Sequence, residues 1–110
     1  MEQTTTTECP VTIALKILGG KWRIPLLWKL SSGPVRYNSL KRQLKGITNI
    51  MLTRSLRELE NANLIRRIQY SDIPPHVEYS LTEEGKKLLP ALNIIKEWGL
   101  ELIDNERLNL

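Results

Sequence analysis

Apolar residues at Val11, Ala14, Leu15 and Leu18 recur at steps of three and four, which predicts one face of a helix. Pro10 suits its first position, Cys9 its N-cap and Gly19-Gly20 its end. Trp22, Leu26, Leu27 and Leu30 predict a second helix with those side chains inward. Pro25 lies inside that stretch. A proline removes a backbone donor and clashes with the carbonyl four residues back, so an irregular first turn or a start near Pro25 is expected. Ser31-Ser32-Gly33-Pro34 is a break. Tyr37, Leu40 and Leu44 then mark a shorter helix over 36–44, followed by a tight turn at Lys45-Gly46-Ile47. Thr48 can cap a fourth helix running to about Asn61, whose buried stripe is Leu52, Leu56 and Leu59.

After that helix the period changes to two. Ile65, Arg67 and Gln69 alternate with Leu64, Arg66, Ile68 and Tyr70, and further on Val77, Tyr79 and Leu81 alternate with Glu78 and Ser80. The two stretches predict a hairpin around a six-residue tip, Ser71–His76, stiffened by Pro74 and Pro75. Thr82 caps the last helical stretch, with Glu83 and Glu84 at the positive end of its dipole, and Pro90 should kink or restart it. Leu88, Leu92, Ile95, Gly99 and Leu102 follow a 4-3-4-3 spacing with Trp98 beside them, a coiled-coil-like seam. Residues 1–8 are polar and Thr-rich and are expected to form a mobile arm. The remainder, 9–110, is expected to form one domain, mainly α with a small β-hairpin. Helix, helix, turn, helix, hairpin is the order of a winged helix-turn-helix, with the helix-turn-helix and wing over 36–82.

Charge changes the picture because of where it sits. Residues 36–67 hold eight basic residues and two acids, a local net of +6, which leaves −2 for the rest of a chain whose net charge is +4. Such concentration is the electrostatic footprint of a nucleic-acid surface. With one histidine, one cysteine, no Gly-rich phosphate loop and no facing acid pair, the 110 residues offer no enzyme constellation, no intrachain disulfide and no Cys/His zinc site. Glu58 and Glu60 are two apart on a helix and do not face each other. Neither a metal nor a cofactor is expected. No apolar run is long enough for a membrane span, and the N-terminus lacks the basic and apolar regions of a signal peptide, so a cytoplasmic protein is expected.

The fourth helix carries the candidate chemistry. A helix can enter the major groove, where base edges show a distinct donor and acceptor pattern, if one side is anchored in the domain. The leucine stripe supplies the anchor. Asn49, Thr53, Arg54 and Arg57 supply donors, and Ile50 can meet a thymine methyl. Arg36, Ser39, Lys41, Arg42 and Lys45 are candidates for the phosphate backbone, and Arg66, Arg67 and the tip residue His76 for the wing. A solvated helix face is the alternative, with Arg54 spent on an i,i+4 pair with Glu58. A winged helix that binds protein rather than DNA is another, but it calls for an apolar face where Arg54 and Arg57 stand.

The stretches "CPV", "GGKW", "GPVRY", "LKRQLKGIT", "MLTRSLRELE", "LIRR", "PPHVEYSLTEEG" and "EWG" together resemble the HxlR-type winged helix-turn-helix regulators, relatives of the MarR proteins, over nearly the whole chain. The resemblance implies a homodimeric transcription factor. Its fourth helix would read an inverted-repeat operator in double-stranded DNA, and its first and last helical regions (9–32 and 83–105) would form the dimer. Val11, Leu15, Leu92, Ile95, Trp98 and Leu102 are the candidate interface residues. Burial economy points the same way, since so small a domain cannot hide the whole terminal stripe. Cysteines at the place of Cys9 sense electrophiles or oxidants in several such regulators, so an oxidant or small-molecule effector is possible; an inert interface cysteine is the alternative. Two positions depart from the family pattern: Tyr37 stands where Phe is usual, and Ala62-Asn63 where an Asp-Gly-like pair is usual. Asn tolerates the left-handed conformation, so the turn should survive, and neither departure is expected to touch the reading face.

Overall fold

A computed structural model describes residues 8–105. The expected arm at 1–8 therefore lies outside the described residues except for Glu8. The first two helices, α1 (Pro10–Leu18) and α2 (Arg23–Lys29), precede a two-residue strand β1 (Val35–Arg36). Helices α3 (Tyr37–Gln43) and α4 (Asn49–Asn61) follow, then strands β2 (Ile65–Asp72) and β3 (Pro75–Leu81), a single turn α5 (Glu83–Lys86) and a long α6 (Leu89–Asp104). The fold is mostly helical with a small antiparallel sheet of strand order β1-β3-β2.

The core is largely leucine. Leu26, Leu27 and Leu30 from α2 and its end, Leu40 from α3 and Leu52, Leu56 and Leu59 from α4 are fully buried. With aromatic residues at 5% and no Phe, branched aliphatics fill the space that aromatics often take. Pro25 causes no break because α2 begins at Arg23, and a proline in the first turn lacks only an amide that has no intrahelical acceptor.

Both ends of α4 are determined locally. Thr48 accepts from the Met51 amide at 3.1 Å. At the other end Asn63 takes a positive φ of 62°, Leu64 N–H reaches Leu59 O at 3.0 Å and Asn63 N–H reaches Glu60 O at 2.9 Å. These are the paired bonds of a Schellman stop, with asparagine in the left-handed position. In the turn before α4, Gly46 has φ 92°, which a side chain would strain.

Thr82 welds the hairpin to the helices. Its hydroxyl donates to Asn63 O at 2.7 Å and accepts from Gly85 N–H at 3.0 Å, while its amide donates to Leu64 O at 3.0 Å. A Cβ added to Gly85 would collide with the Leu64 carbonyl. Pro90 occupies the second position of α6, so the last stretch restarts as a new helix after α5.

Several expectations are corrected. The hairpin strands reach Asp72 and resume at Pro75, so the tip is two residues, Ile73-Pro74, joined by a cis peptide, instead of six. Strand pairing continues past the turn-forming residues because the backbone can still pair there, at Ser71↔His76 and Asp72↔Pro75. Strand β1 was not anticipated; two residues are too few to show alternation, and their pairing with β3 is a tertiary event. Helix α1 buries none of its residues, so the face through Val11, Ala14 and Leu15 has no partner within the described chain. Leu92 is only 4% exposed and belongs to the subunit's own core, which removes it from the candidate interface.

Candidate nucleic-acid interface

The leucine stripe of α4 turns the opposite side of the helix outward. Asn49, Ile50, Thr53, Arg54 and Arg57 come together there with Glu58 and Asn61 along one shallow groove. Ile50 is 72% exposed on that face, where its side chain is open to an apolar group of a partner. The intrahelical pair that would have occupied Arg54 does not form. Glu58 instead receives Arg23 of α2 at 2.6 Å. Among the described residues neither Arg54 nor Arg57 has an ion pair or hydrogen bond, so both guanidinium groups are available to an external acceptor.

Arg23 has a second task. Its guanidinium donates to Ile17 O at 2.7 Å and to Lys16 O at 3.2 Å, the last carbonyls of α1. A cation at a helix C-terminus satisfies groups that lack intrahelical donors. One side chain thus ties the end of α1 to the outer side of α4.

A second concavity lies between the start of α3 and the root of the wing. Arg36, Ser39, Arg42 and His76 line it, together with Tyr37, Asn38 and Val77. Four of the expected backbone and wing residues therefore meet in one place. Ser39 accepts from Gln43 Nε2 at 2.9 Å and keeps its own proton to donate. Lys41 is half-buried on α3, and Lys45 is exposed in the turn.

The wing residues are placed differently from expectation. His76 is a half-buried β3 residue, not part of the tip. Its Nε2 lies 2.9 Å from Glu78 Oε2 and 3.0 Å from Arg36 Nε, and its Nδ1 lies 3.0 Å from Arg36 Nη2. A carboxylate only accepts, so the Glu78 contact needs Nε2–H; in that tautomer Arg36 donates through Nη2 to Nδ1 and not through Nε to Nε2. The imidazole is a strut between β1 and β3, and its short reach from the strand keeps it off the tip. Arg66 and Arg67 project from opposite faces of β2, as alternation requires. Arg66 lines a cleft with Ser31, Pro34 and Glu83, whereas Arg67 lies beside Tyr79 and donates to Gln69 Oε1 at 3.4 Å. Burial pushes the Tyr79 phenol up, and Arg67 opposes that shift.

Tyr37 was not among the candidates, and the expectation that its departure from the family pattern leaves the reading face untouched is overturned. Its hydroxyl lies 3.0 Å from Thr53 Oγ1, 3.2 Å from Asn49 O and 3.4 Å from Asn49 Oδ1. The signal was present in the residue type, since a half-buried tyrosine hydroxyl calls for a partner. What the sequence lacked was the partner's location twelve to sixteen residues away.

Cys9 caps α1 and is exposed. The backbone amides of Thr12 and Val11 lower its thiol pKa from the ordinary 9.0, although no amide reaches capping hydrogen-bond geometry on the sulfur. Glu8 beside it is held by Lys16 at 2.7 Å. Among the described residues no group of three or more metal-ligating side chains converges, and no helix is long and apolar enough to cross a membrane.

Comparison with known proteins agrees with this architecture. The family model described as HxlR-like helix-turn-helix matches residues 17–107. An uncharacterized HTH-type transcriptional regulator of Methanothermobacter thermautotrophicus is 46% identical over 91 residues, covering 83% of this chain and 70% of that protein. The structure of the redox regulator HypR in its oxidized form superposes with a TM-score of 0.81 at 44% identity, covering 84% of this chain and 96% of that one. The reduced form of the transcriptional regulator YodB from B. subtilis superposes with a TM-score of 0.72 at 29% identity, covering 84% and 91%. A winged helix-turn-helix with an arginine-bearing fourth helix, matched along most of its length, is a transcriptional regulator of the HxlR and MarR type, and the chain belongs to the HxlR-like helix-turn-helix family.

Proposed function

We propose that the protein regulates transcription as a homodimer that reads an inverted-repeat operator, with α4 in the major groove. The observation that carries this reading is the outer face of α4. It combines unpaired Arg54 and Arg57, exposed Ile50 and the amide and hydroxyl of Asn49 and Thr53, backed by fully buried leucines. Arg54 and Arg57 can give bidentate bonds to guanine, Asn49 to adenine, and Ile50 can cover a thymine methyl. Arg36, Ser39, Arg42, Lys41 and Lys45 would hold phosphates on either side, with Arg66 and Arg67 reaching the flanking backbone from the wing. Binding measured against salt tests the reading: log affinity should fall with log salt by about 0.9 per phosphate contact, and a selected duplex should outcompete random DNA. Equal affinity for every duplex at moderate ionic strength would sink it.

Dimerisation through the terminal helices is supported by their unpartnered apolar faces. Val11 at 65% exposure and Trp98 at 57% stand with Leu15, Ile95 and the partly covered Leu102 on α1 and α6. Two-fold symmetry in the protein demands it in the operator, with half-sites about one helical turn or a multiple apart.

A redox input through Cys9 has its own support. The thiol is exposed at a helix N-terminus, its pKa is lowered there, and HypR, to which the chain is similar, is a redox regulator. Thiolate is the reactive form toward oxidants and electrophiles. With one cysteine in the chain, a disulfide must join a second subunit or a small thiol. If Cys9→Ser loses operator binding on diamide treatment as the parent protein does, Cys9 is not the sensor.

A further inference from the structure

The Tyr37 ring packs against the core beside α4, which leaves its hydroxyl at the edge of the reading face. Tyr37 is the first residue of α3, directly after β1, and β1 is paired to β3 at Val35↔Tyr79 and Arg36↔Glu78. Its backbone is therefore held from two sides, and the hydroxyl is a fixed point for the side chains that approach it.

Three oxygens surround that hydroxyl, and their proton arithmetic has one best solution. The Asn49 main-chain carbonyl, 3.2 Å away, and the Asn49 side-chain Oδ1, 3.4 Å away, can only accept. The Thr53 hydroxyl, 3.0 Å away, can donate or accept. Tyr37 has one proton. Given to Thr53, it would leave the Asn49 carbonyl without the tyrosine proton and Tyr37 with no donor. Given to Asn49 O, it allows Thr53 to donate to Tyr37, and two hydrogen bonds form in place of one. The Thr53 proton then points inward, and the side of Thr53 that faces outward presents lone pairs.

We infer that Tyr37 is a specificity-determining positioning residue, whose hydroxyl fixes Thr53 as a hydrogen-bond acceptor at the reading face and so selects a base with an exocyclic amine. In the major groove those bases are adenine, through N6, and cytosine, through N4; guanine and thymine offer acceptors at the corresponding edge and would face lone pair to lone pair. A free threonine hydroxyl, able to rotate, would accept either kind of edge. Tyr37 itself touches no base in this scheme. The inference rests on the reading of α4 as the DNA-reading helix, and it names what one position of that helix prefers.

The test is selection of binding sites from randomised duplexes by the full chain, with Tyr37→Phe, Thr53→Val and the double variant in parallel. Tyr37→Phe keeps the ring and its packing and removes only the oxygen, so thermal unfolding serves as the check on folding. The parent protein is expected to favour adenine or cytosine at one position of each half-site by about tenfold. Tyr37→Phe should bring that position close to parity, with the other positions and the salt slope as in the parent, because no phosphate contact is lost. Thr53→Val should lose the same position, and the double variant should lose no more than either single one. A Tyr37→Phe profile that keeps the preference abolished by Thr53→Val overturns the inference, as does a parent preference for guanine or thymine there. A parent protein that selects no sequence at all overturns the DNA-reading function as well, so the two failures are told apart.

Discussion

Arg54 and Lys41 are both cations in the basic third of the chain, and removing each should read differently. Arg54 lies unpaired on the outer face of α4, where a guanidinium can meet a base edge with two parallel bonds. Arg54→Ala is expected to cost about 1–3 kcal/mol on a selected duplex and to relax preference at one base pair. Lys41→Ala should weaken operator and random DNA alike and lower the salt slope by about 1. Titration of both duplexes at several salt concentrations distinguishes them; equal losses for Arg54→Ala on the two would demote it to a backbone contact. Cys9 belongs to the same scale. Amides of Thr12 and Val11 favour its thiolate, so its alkylation by iodoacetamide should follow a midpoint below 9.0, rising to the ordinary thiol value in denaturant. Because the folded form loses its proton more readily, any stability gained from this contact is present above the unfolded pKa and is lost as pH falls through the folded one.

At the scale of elements, short polar links set where helices end and what they touch. Arg23 joins the last carbonyls of α1 to Glu58 on α4, and of α1 itself only Leu18, at its end, packs against the core. Arg23→Ala should cost about 1 kcal/mol and speed amide hydrogen exchange through α1 more than through α4. Unchanged exchange in α1 would mean that its helix holds without the clamp. Gly85 is a steric requirement, since any side chain there meets the Leu64 carbonyl. Gly85→Ala should lower stability by about 1–3 kcal/mol, read by thermal unfolding, as the α5 turn and the Leu64 segment before β2 move apart. Helix α4 was legible to its ends: Thr48, the leucine spacing and Asn63 are local signals that agree with one another. The hairpin tip was not legible, because prolines mark turns without saying which of the neighbouring residues still pair.

On the scale of the whole molecule, the apolar surface left exposed on α1 and α6 is what the proposed dimer would cover. The seam through Leu88, Leu92, Ile95, Gly99 and Leu102 divides between two uses. Leu88 and Leu92 pack on the subunit's own core, while Ile95 and its neighbour Trp98 stand exposed. Each large apolar side chain buried on association contributes roughly 1.5–3 kcal/mol, which is the driving force available to the proposed dimer against the entropy lost on association. Light scattering after size exclusion at micromolar concentration should give twice the chain mass, 12.7 kDa. Trp98→Asp should give the single-chain mass and lose operator binding steeply, because two half-sites are then no longer bound together. A single-chain mass for the parent protein at that concentration would overturn the dimer.

The linear order of residues already determined the types of the elements other than β1, the leucine backing of α4, its cap and its stop, and the basic character of the middle third. Each of these depends on neighbours within a turn or two of helix, where sterics and hydrogen bonding act locally. The tertiary structure alone decided which charges remain available and which polar groups share protons. Glu58 could have paired with Arg54 four residues earlier, but the fold brings Arg23 to it instead. His76 could have capped the wing, but pairing of β1 with β3 places Arg36 against its ring, beside Glu78 two residues along β3. Tyr37 could have been an ordinary core aromatic, but the fold sets its hydroxyl on Thr53 of α4. Such long-range meetings depend on how the elements pack together, and no spacing along the chain encodes that packing.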